Sequence, residues 1–266
     1  MTITGKALVL EHGSKHKIRA LYPGICLRRF NMSKFSLVVP TYNEAPHIEN
    51  ICREITGVLE ACGIGFEIII VDDNSADGTW KAAQEMSHSD ARIRLIRRSH
   101  RRGLASAVAD GWSAAGGDIL GVIDADFQHP PHVLVPMLDI ILCRDDIDIV
   151  VASRRLTCLA ATGLDPARVA VSRLACLFAR ILLSRVVNGV SDPMSGFFLL
   201  RKKVIETNPI KPMGYKILLE VLAKGRYGEM GEVLYTFNRR REGRSKMGPR
   251  QCVTSCFHIM KLAFLP

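Results

Sequence analysis

With 48% hydrophobic and 23% charged residues over 266 positions, the chain has the makeup of a folded core and is excluded from the disordered class. Thirty-six Lys and Arg against 26 Asp and Glu leave a formal charge of +10, which suits a polyanionic partner (nucleic acid, anionic lipid or a phosphorylated substrate) without choosing among them. No uninterrupted apolar stretch approaches the ~18 residues of a spanning helix, and Met1 to Asn31 lacks the apolar centre of a secretory signal, so the chain reads as soluble or membrane-peripheral.

Residues 1 to 34 carry Lys6, Lys15, Lys17, Arg19, Arg28, Arg29 and Lys34 against the single acid Glu11, with no sustained hydrophobic period. They read as a flexible basic leader, either a lipid- or targeting-related arm or an extension ahead of Met32. From Phe35 onward, short β-rich runs (Phe35 to Val39, Phe66 to Val71, Ile93 to Ile96, Ile119 to Ile123, Ile147 to Val151) alternate with helical patterns. The helices are expected over Ala45 to Ala61, Thr79 to Ser87, Leu104 to Ala115 and Pro131 to Leu142. Such alternation predicts an α/β fold with a mostly parallel sheet flanked by helices.

Ligands in such sheets sit outside the carboxyl ends of the strands. That edge should carry Pro40 to Glu44, Asp72 to Ser75 and Asp124 to Asp126, each directly after a strand. One such cluster is an ordinary turn or cap, whereas three at successive strand ends point to a shared crevice. Read as an extended segment, Asp124-Ala125-Asp126-Phe127-Gln128 would put Asp124, Asp126 and Gln128 on one face, an oxygen set suited to Mg²⁺ or Mn²⁺. Asp-x-Asp after an apolar run also begins turns and caps helices, so the motif alone does not decide.

Beyond residue 152 an amphipathic helix is expected over Ala167 to Val187, with Val171, Leu174, Ala175, Phe178 and Leu182 on one face and Arg173 and Arg180 opposite. It either packs on the sheet or lies on a membrane. A strand-like run, Glu232 to Phe237, precedes Asn238 to Lys246, a basic loop that reads as a phosphate clamp or as a solvated turn. The tail Gln251 to Leu265 looks like a short interfacial or packed helix. The eight cysteines include no Cys-x-x-Cys pair, which fits reduced thiols in a cytosolic protein.

Taken together, Val38 to Glu44, Val71 to Ser75, Asp124 to Pro131 and Asp192 to Phe198 resemble the inverting GT-A glycosyltransferases, and above all the dolichol-phosphate (polyprenyl-phosphate) mannose synthases. The likeness runs from about Phe35 to Lys246, which sets a leader over 1–34, a GT-A domain over 35–248 and a C-terminal helix over 249–266. By that resemblance Pro40, Tyr42, Glu44, Val71 and Asp73 would hold the nucleoside, with Asp72 beside them. Asp124 would face the nucleotide-sugar, and Asp126 and Gln128 would ligate Mg²⁺ or Mn²⁺. Arg154 and Arg168 match positions that bind the acceptor phosphate; Arg240, Ser245 and Lys246 match a loop over the donor diphosphate.

The resemblance implies transfer of a hexose from GDP-mannose or a UDP-sugar to a polyprenyl (dolichyl) phosphate, with inversion, at the cytoplasmic face of a membrane. Glucose, aminosugar and polysaccharide-building activities remain alternatives within the family. Asp192 would serve either as base or as positioning residue, and Asp before Pro also opens turns. His129, out of phase with the acids, is expected to be structural or to support the ligating residues from behind. Because many relatives carry spanning helices that the given sequence lacks, a separate membrane-anchoring partner is an alternative to direct surface binding. An aspartyl-phosphate phosphatase would leave Asp72 and Asp73 unexplained, and a nucleic-acid module would need a stacking stripe that the five tyrosines do not form.

Overall fold

The β-branched runs become strands and the amphipathic stretches between them become helices in a computed structural model that describes residues 8–9, 34–100, 102–154, 190–208, 210, 216–236 and 260–261. In chain order these are β1 (Leu8–Val9), β2 (Lys34–Thr41), α1 (Ala45–Cys62), β3 (Gly65–Asp72), α2 (Thr79–Ser89), β4 (Ile93–Arg97), α3 (Leu104–Ser113) and β5 (Ile119–Val122). A 3₁₀ turn at Pro131–Val133 runs into α4 (Leu134–Cys143). Then come β6 (Ile147–Arg154), β7 (Phe198–Arg201), α5 (Lys203–Glu206), α6 (Ile217–Lys224) and β8 (Glu229–Tyr235).

One sheet takes all eight strands in the order β1-β8-β6-β7-β5-β2-β3-β4. Pairings are parallel except at β7, which runs antiparallel to both β5 and β6. The expected mostly parallel sheet is therefore observed. Because the chain runs outward from β2 to β3 and β4 and then crosses back to β5 on the other side of β2, a crevice opens at the carboxyl ends of these strands. Within the stretch read as a basic leader, Leu8–Val9 pair in parallel with Val233–Leu234 at the outer edge.

Alternation along the strands divides the interior into two layers. Phe35, Leu37 and Val39 pack with Ile48, Ile51, Ile55 and Leu59 of α1 and with α4. Val38, Ile69 and Val71 pack on the opposite face with Val108 and Trp112 of α3 and with α6. Helix α3 comes close because Gly111 has no side chain: a Cβ there would lie 2.7 Å from the Val38 methyls and 3.1 Å from one of Val71. Cys52 and Cys62 are buried free thiols on α1, and burial pushes them up to about 12 and about 11, respectively, with Asp139 adding to the rise at Cys62.

At the end of the sheet away from the crevice, Glu67 is almost fully buried. Its Oε1 accepts from the Ser36 hydroxyl at 2.7 Å and the Gly116 N–H at 2.7 Å, and its Oε2 from Arg94 at 2.8 Å. Burial opposes ionisation of this carboxyl, but these donors and Lys34 outweigh it and hold Glu67 down at about 2.

Boundaries differ from the sequence expectation where proline intervenes. The helix predicted from Pro131 begins as a 3₁₀ turn, since Pro130-Pro131 cannot supply main-chain donors and holds residue 130 extended. The strand expected from Glu232 starts earlier, at Glu229, beside β6. The helix predicted over Ala167 to Val187 and the loop Asn238 to Lys246 lie outside the described residues, as does the tail apart from Met260 and Lys261. No helix among the described residues is long and apolar enough to cross a membrane.

Candidate active site

The β2 and β3 ends are adjacent by register, with Pro40 opposite Val71 and Thr41 opposite Asp72. Pro40, Tyr42, Val71, Asp72 and Asp73 are thus brought to one edge, as expected. Their side chains do different things. The Val71 side chain is in the core beside Val38 and Ile69. Asp72 is fully buried; its Oδ2 accepts from Thr41 Oγ1 at 3.0 Å and Ser75 Oγ at 2.5 Å, and its Oδ1 from Ser75 N–H at 2.8 Å. Asp72 therefore shapes the loop from within.

Asparagine completes this crossing. Asn43 and Asn74 have φ of 52° and 56°, a left-handed conformation that asparagine tolerates better than most residues. Asn43 Oδ1 accepts from Ala76 N–H at 3.0 Å, and Asn43 N–H donates to Ser75 Oγ at 2.8 Å. Glu44 N–H donates to Thr79 Oγ1 at 2.9 Å, which joins the start of α1 to that of α2. The half-buried Tyr42 ring faces the Arg102 guanidinium at 5.0 Å, and Arg102 donates to its hydroxyl at 3.2 Å.

Asp73 is held by a residue that the strand-end reading overlooked. Arg98, buried at the end of β4, donates to Asp73 Oδ1 through Nε at 2.7 Å and also through a terminal nitrogen, while Gly103 N–H reaches Oδ2 at 2.8 Å. The same guanidinium donates to Ser106 and Asp110, each at 2.9 Å. Applied to Ile93 to Ile96, the rule that ligand residues follow strands would have pointed to Arg98.

The Asp124 to Gln128 segment corrects one premise of the sequence reading. β5 stops at Val122, and residues 125 and 126 form a turn, not an extended strand with alternating faces. Phe127 adopts φ 60° with its ring buried and edge-on to His47 at 6.0 Å. A bulky residue in that region costs about 1–3 kcal/mol, a strain the packed ring sustains. The turn buries Asp126, whose Oδ1 accepts the Gln128 N–H at 3.1 Å, and leaves the Asp124 side chain 32% exposed.

His129 is buried behind them. Its Nε2 lies 3.3 Å from Asp124 Oδ2 and its Nδ1 2.6 Å from the Tyr235 hydroxyl, with the Phe197 ring edge-on at 5.5 Å. Both of its ring nitrogens are thus engaged. Burial raises the Tyr235 phenol well above its usual range, while Arg154 lowers it and Asp192, Asp124 and Asp126 raise it further. Arg154 lies beside Tyr235 by strand register, and Asp124 reaches it through His129.

Arg154, the last residue of β6, grips Asp192 with two contacts, Nε to Oδ2 at 2.5 Å and a terminal nitrogen to Oδ1 at 3.0 Å. Burial works against the Asp192 carboxylate, yet Arg154 and then Lys216 outweigh it and keep the group below the ordinary carboxylate range. Glu232 fixes the neighbouring turn by accepting from Ser191 N–H at 2.7 Å and Ser191 Oγ at 2.8 Å, and from Ser153. Ser195 Oγ donates to Ala152 O at 2.7 Å, so the 192–196 turn is tied to β6. Gly196 fits against Asp124: a Cβ there would be 3.2 Å from Asp124 Oδ2. Arg168, Arg240 and Lys246 lie outside the described residues.

Hard oxygen donors on the Asp124 to Gln128 turn fit Mg²⁺ or Mn²⁺. Among the described residues no group of three or more His, Cys, Asp or Glu is arranged to cage an ion. Mg²⁺ does not need such a cage, since it is bound through one or two carboxylates with substrate phosphates and water making up the rest. The residues that would supply donors are Asp126, Gln128 and Asp124.

The model of glycosyl transferase family 2 matches residues 36–208. The dolichol-phosphate mannosyltransferase of Pyrococcus furiosus is 39% identical over 229 residues, covering 86% of this chain and 63% of that protein. That of Saccharomyces cerevisiae is 35% identical over 223 residues, covering 80% of this chain and 81% of its own. This chain thus spans less than two thirds of the archaeal relative. In fold it is similar to mannosyl-3-phosphoglycerate synthase from Rubrobacter xylanophilus (TM-score 0.68, 20% identity, 89% of this chain and 75% of that one). It is also similar to glucosyl-3-phosphoglycerate synthase from Mycobacterium tuberculosis, crystallised with Mn²⁺, UDP and glucosyl-3-phosphoglycerate (TM-score 0.67, 20% identity, 99% and 89%).

Proposed function

The chain belongs to glycosyl transferase family 2, and from this premise we propose that it transfers mannose from GDP-mannose to the phosphate of dolichol or another polyprenol, with inversion at the anomeric carbon. The observation that carries this reading is the meeting, at the carboxyl ends of β5, β6 and β8, of the Asp124/Asp126 turn with the Arg154–Asp192 pair. One side suits a metal-bound diphosphate and the other an anionic acceptor. The mannosyltransferase relatives support the choice of sugar and acceptor.

A bound Mg²⁺ or Mn²⁺ would stabilise the charge that develops on the departing diphosphate. This chain's residues do the remainder. Pro40, Tyr42 and Glu44 with Asp72 and Asp73 line the nucleoside end, Asp72 and Asp73 acting chiefly through the loops they hold. Asp124 would face the sugar diphosphate, and Asp126 and Gln128 would hold the metal. Arg154 and Arg168 would draw the acceptor phosphate, and Arg240 and Lys246 would neutralise the donor diphosphate, roles that rest on the family motif. A phosphate monoester with a second pKa of ~6 is already largely dianionic at neutral pH, so its oxygen attacks without a general base. Asp192, ionised and paired with Arg154, orients that guanidinium and accepts no proton.

The acceptor's hydrocarbon stays in the bilayer while its phosphate enters the crevice, so the protein works as a peripheral enzyme at a cytoplasmic membrane surface. Its basic charge, or a separate anchoring subunit, holds it there. The test is purified protein with GDP-mannose or UDP-glucose and a short polyprenyl phosphate, with and without chelator. Mannolipid from GDP-mannose alone, abolished by chelator and by Asp126→Ala, is the expected result. Product from UDP-glucose alone would instead assign a polyprenyl-phosphate glucosyltransferase.

A further inference from the structure

We propose that His129 and Tyr235 form a positioning relay that fixes the Asp124 carboxylate, an assignment that rests on the reading of Asp124 as the residue facing the sugar diphosphate. Two elements meet in this relay. Asp124 and His129 belong to the turn after β5, whereas Tyr235 ends β8, on the far side of β6 and β7 from β5. The contacts run in series, from Tyr235 Oη to His129 Nδ1 at 2.6 Å and from His129 Nε2 to Asp124 Oδ2 at 3.3 Å. Tyr235 and His129 are buried, and Phe197 packs edge-on to both rings at 5.5 and 6.2 Å, so neither ring can rotate freely.

The order of donors follows from the partners. A carboxylate oxygen only accepts, so the nitrogen facing Asp124 must carry the proton. That makes His129 the Nε2–H tautomer in its neutral form, with Nδ1 left to accept the Tyr235 O–H. The phenol is suited to this part, because burial in the first place keeps its proton in place. Gly196 closes the other side: its missing side chain lets Asp124 Oδ2 sit inward, 3.2 Å from where a Cβ would be. One carboxylate oxygen is thereby turned toward the relay, and the orientation of the other is set.

Neither His129 nor Tyr235 touches the reacting atoms in this account. They act through Asp124, as partners that orient a ligating carboxylate generally do, and removing such partners costs ~10–100-fold in metal affinity or activity. The tautomer can be read without substrate, by ¹⁵N NMR of the full chain labelled at histidine, with the His129 signals identified by their loss in His129→Gln. The expected result is a protonated Nε2 and an unprotonated Nδ1, with the Nδ1 signal shifted in Tyr235→Phe, which removes the hydroxyl that Nδ1 accepts from. Turnover of GDP-mannose should fall ~10–100-fold in His129→Leu while acceptor KM is kept, and recover largely in His129→Gln, whose amide can donate to Asp124. A proton on Nδ1, or equal activity of the Leu and Gln variants, would overturn the proposal. Because the tautomer needs no donor or acceptor, it is decided separately from the choice of sugar.

Discussion

At Asp192, burial and pairing act in opposite directions. Burial alone would raise the carboxyl, but Arg154 and then Lys216 hold it down, so its folded pKa lies below the unfolded value. The sign follows: the pair's contribution to stability is complete above the unfolded pKa of ~3.9 and is lost as pH falls through the lower folded value. Asp192 is therefore charged throughout the neutral range and is a poor proton acceptor. Asp192→Asn leaves the Arg154 guanidinium without its counter-charge and is expected to destabilise the fold by about 3–5 kcal/mol, measured by urea unfolding. In a rate–pH series the acid limb should track the acceptor phosphate at ~6 and persist in residual Asp192→Asn activity. Loss of that limb in the variant would make Asp192 the base.

Among the elements, α3 shows most plainly how close packing positions the site. It runs from Gly103, whose N–H holds Asp73, and passes Gly111 against Val38 and Val71. Gly111→Ala would drive a methyl into those side chains and should cost about 1–3 kcal/mol. A fall in Tm of about 2–4 °C per kcal/mol is the expected reading for a domain of this size. An unchanged Tm would mean that α3 moves away without penalty.

The elements were largely legible because period 2 and period 3.6 are properties of neighbouring residues. Phe35 to Val39 and Ala45 to Ala61 announce a strand and a helix with no knowledge of the rest. Long-range contacts announce nothing: Arg98 meets Asp73, and Tyr235 meets His129, only after the sheet has formed. The carboxylates of the Asp124 to Gln128 segment are plain in the sequence but its turn is not, since a left-handed Phe127 depends on the tertiary pocket beside His47. β7, antiparallel within a parallel sheet, was likewise hidden in a run that local pattern could not orient.

Across the whole molecule, the sheet has a structural end and a chemical end. Glu67 closes the first, joining β2, β3, β4 and the turn before β5 through Ser36, Arg94 and Gly116. Its folded pKa of about 2 is depressed, so its stabilisation is present above the unfolded value of ~4.3 and disappears as pH drops toward 2. Glu67→Gln is expected to lose about 1–3 kcal/mol at pH 7 and to flatten the acid side of the stability profile, followed by urea unfolding between pH 7 and 3. Activity per folded molecule should be unaffected, because the crevice lies at the other end of the strands.

The proposed reaction requires carboxylates of that crevice to hold a divalent ion against a diphosphate. Calorimetric titration of GDP into the protein, with and without Mn²⁺, tests this most directly. Mn²⁺ is expected to tighten GDP by about tenfold or more, equivalent to ~1.4 kcal/mol, and Asp126→Ala to abolish the gain while leaving metal-free GDP affinity unchanged. Equal GDP affinity with and without Mn²⁺ in the unaltered protein would contradict it.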